Sequence, residues 1–315
     1  MKLLHKYKNG NYTVSIYDDG TKVRETEEDE FIADFPENID IKISDRCDGG
    51  CAYCHENSTV NGNVANFNHD FLWSLKPGTE LAIGGGNIFK NNQLDDFLAF
   101  CKARKIIANV TLNQKHAIED WNHPSWRSRC DEMNYHLQNL IDSKMVSGVG
   151  ISFNGNSEQL NGMYKKHEKL SKMTQNIVIH VINGVNSFDE IMSIADTNRK
   201  LLILGYKDVR KGISYRKAED EKIKNNQQSI YDNMHEITKA FKVVSFDNLA
   251  IEQLNMRRFF TTSEWDEFFM GNEGSHTFYI DLVKEEFAIN SCETNRRHKL
   301  LSTVEEMFQV VKGER

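Results

Sequence analysis

The chain has 315 residues, of which 39% are hydrophobic and 27% charged, enough apolar material for one large core or two modest ones. No apolar run approaches the length that spans a bilayer, and the N-terminal Met1-Lys2-Leu3-Leu4-His5-Lys6 has no apolar signal core, so a cytoplasmic protein without a membrane role is expected. A net charge of −7 gives no global electrostatic footprint for nucleic acid.

Residues 11–17 alternate polar and apolar, then meet Asp18-Asp19-Gly20, which predicts a β-hairpin as an N-terminal accessory over 1–35. From Pro36 the chain repeats a strand-then-helix rhythm. Strands are expected at Asp40–Ser44, Glu80–Ile83, Ile106–Leu112, Gly148–Phe153, Ile177–Ile182 and Leu201–Gly205. Helices are expected at Gln93–Lys105, Arg127–Asp142, Glu158–Met173 and Phe188–Thr197. Alternation of this kind implies parallel pairing with right-handed crossovers, and six units predict an α/β fold built as a partial (β/α)6 TIM-type barrel over 36–210. The remainder, 211–315, reads as a C-terminal α+β extension packed on the same domain. Within it Ser214–Lys224 is a loop or exposed helix, and a helix follows from about Asn226 to Phe241. Strands come next at Val243–Phe246, Thr277–Leu282 and Glu286–Asn290, and a helix over 302–311 ends the chain.

Three of the six cysteines fall in Asp45-Arg46-Cys47-Asp48-Gly49-Gly50-Cys51-Ala52-Tyr53-Cys54-His55, just after the first strand of this series. Three thiolates at this spacing can hold three irons of a four-iron cluster and leave the fourth open. Cys51-Ala52-Tyr53-Cys54-His55 also matches the pattern for covalent haem attachment, but that leaves Cys47 idle and requires export. Zinc wants four ligands, usually in two separated pairs, and no second such pair exists. A thioredoxin-like dithiol again leaves Cys47 spare. Cys101, Cys130 and Cys292 read as small buried hydrophobes, although Cys292, after a strand end, could have a further role that the sequence does not assign.

In α/β barrels the working residues gather at the C-terminal ends of the strands. Gly84-Gly85-Gly86-Asn87 closes the second strand, where a bare turn is the competing reading. Three later strands end in Asn113, Asn154 and Asn183, whose amides offer donor and acceptor to a polar ligand, although asparagine also ends strands for its turn geometry. His180 is centred in an apolar strand, either as a hydrogen-bonded core histidine or as a proton-transfer group. Tyr206 and Lys207 follow the sixth strand and are expected to line a substrate pocket; Glu252 and His276 are lesser candidates. The basic run Arg296-Arg297-His298-Lys299 reads as surface, or as a holder of an anionic substrate.

The C-x3-C-x2-C loop, with Tyr53 just before its last cysteine, resembles the radical S-adenosylmethionine (radical SAM) superfamily. The resemblance implies a [4Fe-4S] cluster on Cys47, Cys51 and Cys54, and SAM chelated at the open iron. It implies reductive cleavage of SAM to a 5′-deoxyadenosyl radical that takes hydrogen from a substrate, in an oxygen-sensitive enzyme. Tyr53 is then placed beside the cluster and the adenine. Gly84, Gly85, Gly86 and Asn87 resemble the family's glycine–glycine–glutamate element for the methionine amino group, with Asn87 standing where glutamate is frequent. Ser152 and Asn154, two apart on one strand face, correspond to contacts with the SAM ribose or carboxylate. An electron donor such as flavodoxin or ferredoxin is implied. A small molecule or nucleotide is the expected substrate, a peptide next, and activation of a partner glycyl radical enzyme third. A non-enzymatic iron–sulfur sensor is the reading from another class.

Overall fold

A computed structural model describes residues 1–117, 136–166 and 177–314. Three strands, β1 (Leu3–Asn9), β2 (Tyr12–Tyr17) and β3 (Lys22–Glu25), form an antiparallel sheet in that order. The expected hairpin is its β2–β3 half; β1 was missed because its sequence, Leu-Leu-His-Lys-Tyr-Lys-Asn, is charged and only half-buried. Tyr12, buried on β2, donates to Glu37 Oε1 at 2.6 Å, and Arg24 Nε donates to the same oxygen at 2.8 Å. Those bonds tie the small sheet to the strand that opens the large one.

Among the described residues the large sheet has ten strands. They are β4 (Asn38–Ser44), β5 (Glu80–Gly85), β6 (Ile107–Asn113), β7 (Gly148–Ser152), β8 (Ile177–Ile182), β9 (Asp196–Leu204), β10 (Phe241–Phe246), β11 (Thr277–Asp281), β12 (Glu286–Ala288) and β13 (His298–Lys299). Their order is β10-β9-β8-β7-β6-β5-β4-β11-β12-β13; every pair from β10 to β11 is parallel, and the last two pairs are antiparallel. The mixed α/β class with a mostly parallel sheet is as expected. Strands on both sides of residue 210 share this one sheet.

Strand periodicity separates two faces. Ile39, Ile41, Ile43, Leu81, Ile83, Val110, Leu112, Ile151, Ile179, Val181, Leu201 and Ile203 are all at most 2% exposed and form the helix-covered side. Helix α1 (Leu94–Ala103) supplies Leu94, Phe97, Leu98 and Cys101 to that core, one stripe at helical spacing. The other described helices are α2 (His136–Asp142), α3 (Ser157–Lys166), α4 (Phe188–Met192), α5 (Lys211–Asp232), α6 (Met234–Ala240), α7 (Asn248–Gln253), α8 (Thr262–Phe268) and α9 (Val304–Gly313).

Several expectations need correction. The helix expected over Phe188–Thr197 stops at Met192, and Asp196 already begins β9; Ser193 and Arg199 instead make the connection compact through bonds to Glu190 O and Ile194 O. The segment read as loop or exposed helix belongs to α5, kinked at Glu219, and the helix expected to reach Phe241 is divided at Asn233 into α5 and α6. The helices expected at Arg127–Asp142 and Glu158–Met173 are seen only in part; their residues 127–135 and 167–173, and Cys130, lie outside the described residues.

Candidate functional site

The segment 45–65 leaves the C-terminal end of β4 and returns along it. Cys47 N–H donates to Thr59 O (2.8 Å), Asp45 N–H to Asn63 O (2.8 Å) and Ala65 N–H to Ile43 O (2.9 Å), so both arms are laced together. Cys47, Cys51 and Cys54 sit in this loop, each partly buried. Gly49 N–H donates to Cys47 Sγ at 3.3 Å. A Cβ built on Gly49 would stand 3.2 Å from Cys47 Sγ and 3.8 Å from Cys51 Sγ, so both sulfurs border the space beside Gly49. Burial pushes the Cys47 and Cys51 thiols up, and the charge of Cys54 pushes both further. Three soft ligands this close repel one another as bare thiolates, and a multi-iron centre removes that penalty. The donor set therefore fits an iron–sulfur cluster.

Two further strand ends grip the loop. After β5, Gly86 N–H donates to Ser44 O (2.6 Å) and Asn87 N–H to Arg46 O (2.8 Å). Gly85 has φ +115°, and a Cβ on Gly85 or Gly86 would lie 2.5 Å from Ser44 O or Arg46 O respectively. The glycine run is thus the surface against which the cysteine loop folds, more than a bare turn. Asn87 is buried, and its side-chain oxygen accepts from Phe89 N–H (3.1 Å), which engages the acceptor that was expected to face an amino group.

From β6, Asn113 Nδ2 donates to Cys51 Sγ at 3.6 Å, Lys115 Nζ to Asp48 O at 2.8 Å, and the His116 ring lies 2.9 Å from Asp48 Oδ1. Asn113, expected among the substrate residues, is therefore a partner of the cysteine loop. Cys47, Asp48 and His116 bring one ligand atom each within 4.8 Å of one another, a grouping that spacing alone did not expose because His116 lies 69 residues from Cys47. Tyr53 packs edge-on to Tyr215 of α5, ring centroids 5.6 Å apart.

Asn113, Ser152 and His180 occupy one register row across β6, β7 and β8. A Cβ on Gly150 would meet His180 Cε1 at 2.3 Å, so that glycine makes room for the ring. Burial alone lowers the His180 imidazole to about 4, leaving it neutral at pH 7. Asn154 is exposed, and its side-chain oxygen accepts from Asn156 N–H (3.1 Å) in a local turn. Gln114, fully buried, clamps the same turn by accepting from Asn154 N–H and donating to Asn156 O. Asn183 is fully buried and donates to Gln253 Oε1 (3.2 Å); it joins β8 to α7 and lies apart from the cysteine loop. His276 lies with Tyr12 and Glu37 near the small sheet, also remote.

Beneath the cysteine loop, Lys42 is 2% exposed and its Nζ meets Asp45 (2.6 Å), Asp281 (2.9 Å) and Glu56 (3.2 Å). Burial works against its charge, but Glu56 and Asp281 outweigh it and raise the ammonium to about 12. The signal was present: Asp40 and Lys42 interrupt Ile39, Ile41 and Ile43 at alternate positions. Lys207 Nζ lies 3.4 Å from His55 Nε2 and 2.9 Å from Ser291 Oγ, while Arg210 donates to His55 O at 2.6 Å. These contacts join the cysteine loop to a cavity of about 1150 Å³. Asp40, Leu202, Tyr206, Lys207, Glu252 and Cys292 are on its wall. Tyr206 is itself buried, its hydroxyl donating to Gly212 O at 2.6 Å. Arg297 lies over Tyr279 and bonds Ser291 O, while Arg296 pairs with Glu293 on the surface.

No protein-family model matches the sequence, and no curated protein matches it. Among solved structures, SuiB of Streptococcus suis bound to its precursor peptide SuiA matches with a TM-score of 0.54 and 14% identity, over 90% of this chain and 67% of that one. SuiB bound to S-adenosylmethionine matches with a TM-score of 0.54 and 16% identity, over 90% and 68%. A third crystal structure of SuiB matches at 0.51 and 15%, over 90% and 68%. No helix among the described residues is long and apolar enough to cross a membrane. The chain has the fold of SuiB.

Proposed function

We propose that this chain is a radical SAM enzyme whose Cys47, Cys51 and Cys54 hold a [4Fe-4S] cluster. The observation that carries the reading is the cysteine loop itself: three sulfur ligands at the C-terminal end of β4, in a fold shared with an S-adenosylmethionine-bound protein. When bound, the cluster supplies the electron that cleaves SAM, giving a 5′-deoxyadenosyl radical for hydrogen abstraction. The chain's own residues supply position and exclusion. Gly85 and Gly86 let the β5 end close on the loop, and Tyr53 and Tyr215 wall one side. The row Ser152–His180 offers polar atoms for SAM on the neighbouring strand ends. Residues of β4 and β9, with four strands between them, border one cavity, which supports a sheet curled as a partial barrel over 36–210. On this reading 1–35 is an accessory and 211–315 an extension that closes the open side.

SuiB's complex with a precursor peptide supports a peptide among the candidate substrates. A cytoplasmic site and a flavodoxin or ferredoxin as donor belong to the same reading. Anaerobic reconstitution with iron and sulfide, followed by SAM and dithionite, is expected to release 5′-deoxyadenosine. Cys51→Ala should abolish the release with an unchanged circular dichroism spectrum. A chain that binds the cluster and SAM but releases nothing would be the sensor of the competing reading.

A further inference from the structure

The cavity beside Lys207 has unbalanced electrostatics. Five carboxylates of the described residues line it, from Asp40, Asp208, Asp247, Glu252 and Glu273. Its three cations are already engaged. Arg216 pairs with Asp208 at 2.9 Å, Arg257 donates to Phe260 O at 2.9 Å, and Lys207 holds Ser291 and His55. Asp247 and Glu273 each have a neutral partner, the N–H groups of Gly205 and Ala250 for the first and the Asn290 amide for the second.

Asp40 has no such partner. It projects from β4 on the same face as Lys42, and no described residue hydrogen-bonds or ion-pairs with its carboxylate. Its side chain is open, and what it opens onto is this cavity. Burial raises its carboxyl and the charge of Asp247 raises it further, against the pull of Lys207. A carboxylate that opens onto a cavity with no hydrogen-bond or ion-pair partner of its own is available as counter-ion to a cation that enters there. The same cavity is lined by the apolar and aromatic side chains of Phe246, Leu249, Trp265 and Phe269, with Arg257 lying over the Trp265 ring.

We propose that this cavity binds an amphiphilic cation, an ammonium or guanidinium on an apolar stem, with Asp40 as its counter-ion and the aromatic wall around the stem. The proposal deepens the radical SAM reading and rests on it, since it names the substrate class that would meet the cysteine loop across Lys207 and His55. The same chemistry is carried by a free amine and by a lysine or arginine side chain of a peptide.

The test is calorimetric titration of the full reconstituted chain with 4-phenylbutylamine, 4-phenylbutanol, 4-phenylbutyrate and the capped tripeptide acetyl-Phe-Lys-Phe-amide. At least one of the two ammonium probes should bind tenfold or more tighter than the alcohol and the acid. Preference for the free amine identifies a small-molecule source, and preference for the tripeptide a peptide source. Asp40→Asn should erase the preference while the melting temperature holds or rises, because no partner is lost. Glu273→Gln, which keeps a bond to Asn290, should weaken it in part. Equal binding of the alcohol or acid, retention of the preference in Asp40→Asn, or no binding by any probe would overturn the proposal. Cluster absorbance and 5′-deoxyadenosine release, recorded on the same samples, report separately on the radical SAM reading.

Discussion

At the level of single residues, Asn113 carries a role different from the one its strand-end position implied. Its amide N–H points at Cys51 Sγ, and on the proposed reading a hydrogen bond to a ligand sulfur would draw charge from the cluster and ease its reduction. Asn113→Leu should therefore lower the midpoint potential, by about 59 mV for each tenfold shift in the one-electron equilibrium, read by redox titration with electron paramagnetic resonance. A midpoint unchanged in a cluster-replete variant would remove Asn113 from the cluster's surroundings. His180 yields a prediction of the opposite kind, about stability. Its imidazole is lowered from 6.5 to about 4 by burial, so the unfolded chain binds the extra proton between those values. The neutral ring's contribution is fully present above pH 6.5 and is lost as pH falls towards 4, on the order of 3 kcal/mol over the whole interval. Urea midpoints measured at pH 7.5, 6 and 5 should fall more steeply for the native chain than for His180→Gln. Parallel slopes would mean that the ring titrates as freely in the folded state as in the unfolded one.

Among the elements, β4 does most to join fold and site. Its odd positions 39, 41 and 43 enter the core, while Asp40 and Lys42 face the other way, one towards the cavity and one into the carboxylates under the cysteine loop. Lys42→Met would leave the buried Glu56 and Asp281, and the partly buried Asp45 beside them, without their cation. Removing one member of a buried ion group costs about 3–5 kcal/mol, so the urea midpoint should drop accordingly, and iron incorporation should fall with it because Glu56 and Asp45 belong to the loop. Little change in either would mean that water already reaches those carboxylates. The strands of this region were legible because alternation in β4 and apolar runs in β5 to β8 are local signals. The short helix α4 was not: its apolar residues continue smoothly into β9, and only the Ser187–Glu190 capping box and the bond from Arg199 to Ile194 O fix where one ends and the other begins. For β1 the signal was overwritten by surface charge. Residues such as His116 and Arg210 were invisible as site residues because what qualifies them is a partner 68 or 155 positions away.

For the whole molecule, the question is how far the chain beyond residue 210 is an appendage. β10 continues the parallel sheet beyond β9, and β11 pairs with β4 along five registered residues. Asp281 at the end of β11 is also a partner of Lys42, and Ser291 holds both Lys207 and Arg210. A chain cut after residue 272 would lose β11 to β13 and α9 at once, baring the edge of β4 and stripping one carboxylate from the buried group. An unpaired edge on a central apolar strand invites pairing between molecules. Such a chain should elute as aggregate in size-exclusion chromatography and lose its cooperative urea transition. Removal of residues 1–35 should act differently. It takes Tyr12, Lys22 and Arg24 from Glu37, which is 1% exposed in the full chain, and leaves His276 as the carboxylate's remaining side-chain neighbour of that group. The large sheet keeps all ten strands, so the shortened protein should remain monomeric with a cooperative but earlier transition, and Glu37→Gln in the same background should restore part of the loss. If both truncations behave alike, the small sheet is as integral to folding as β11. If the longer chain alone survives with its cluster bound, the cysteine loop draws its support from the large sheet, with β11 as a necessary member.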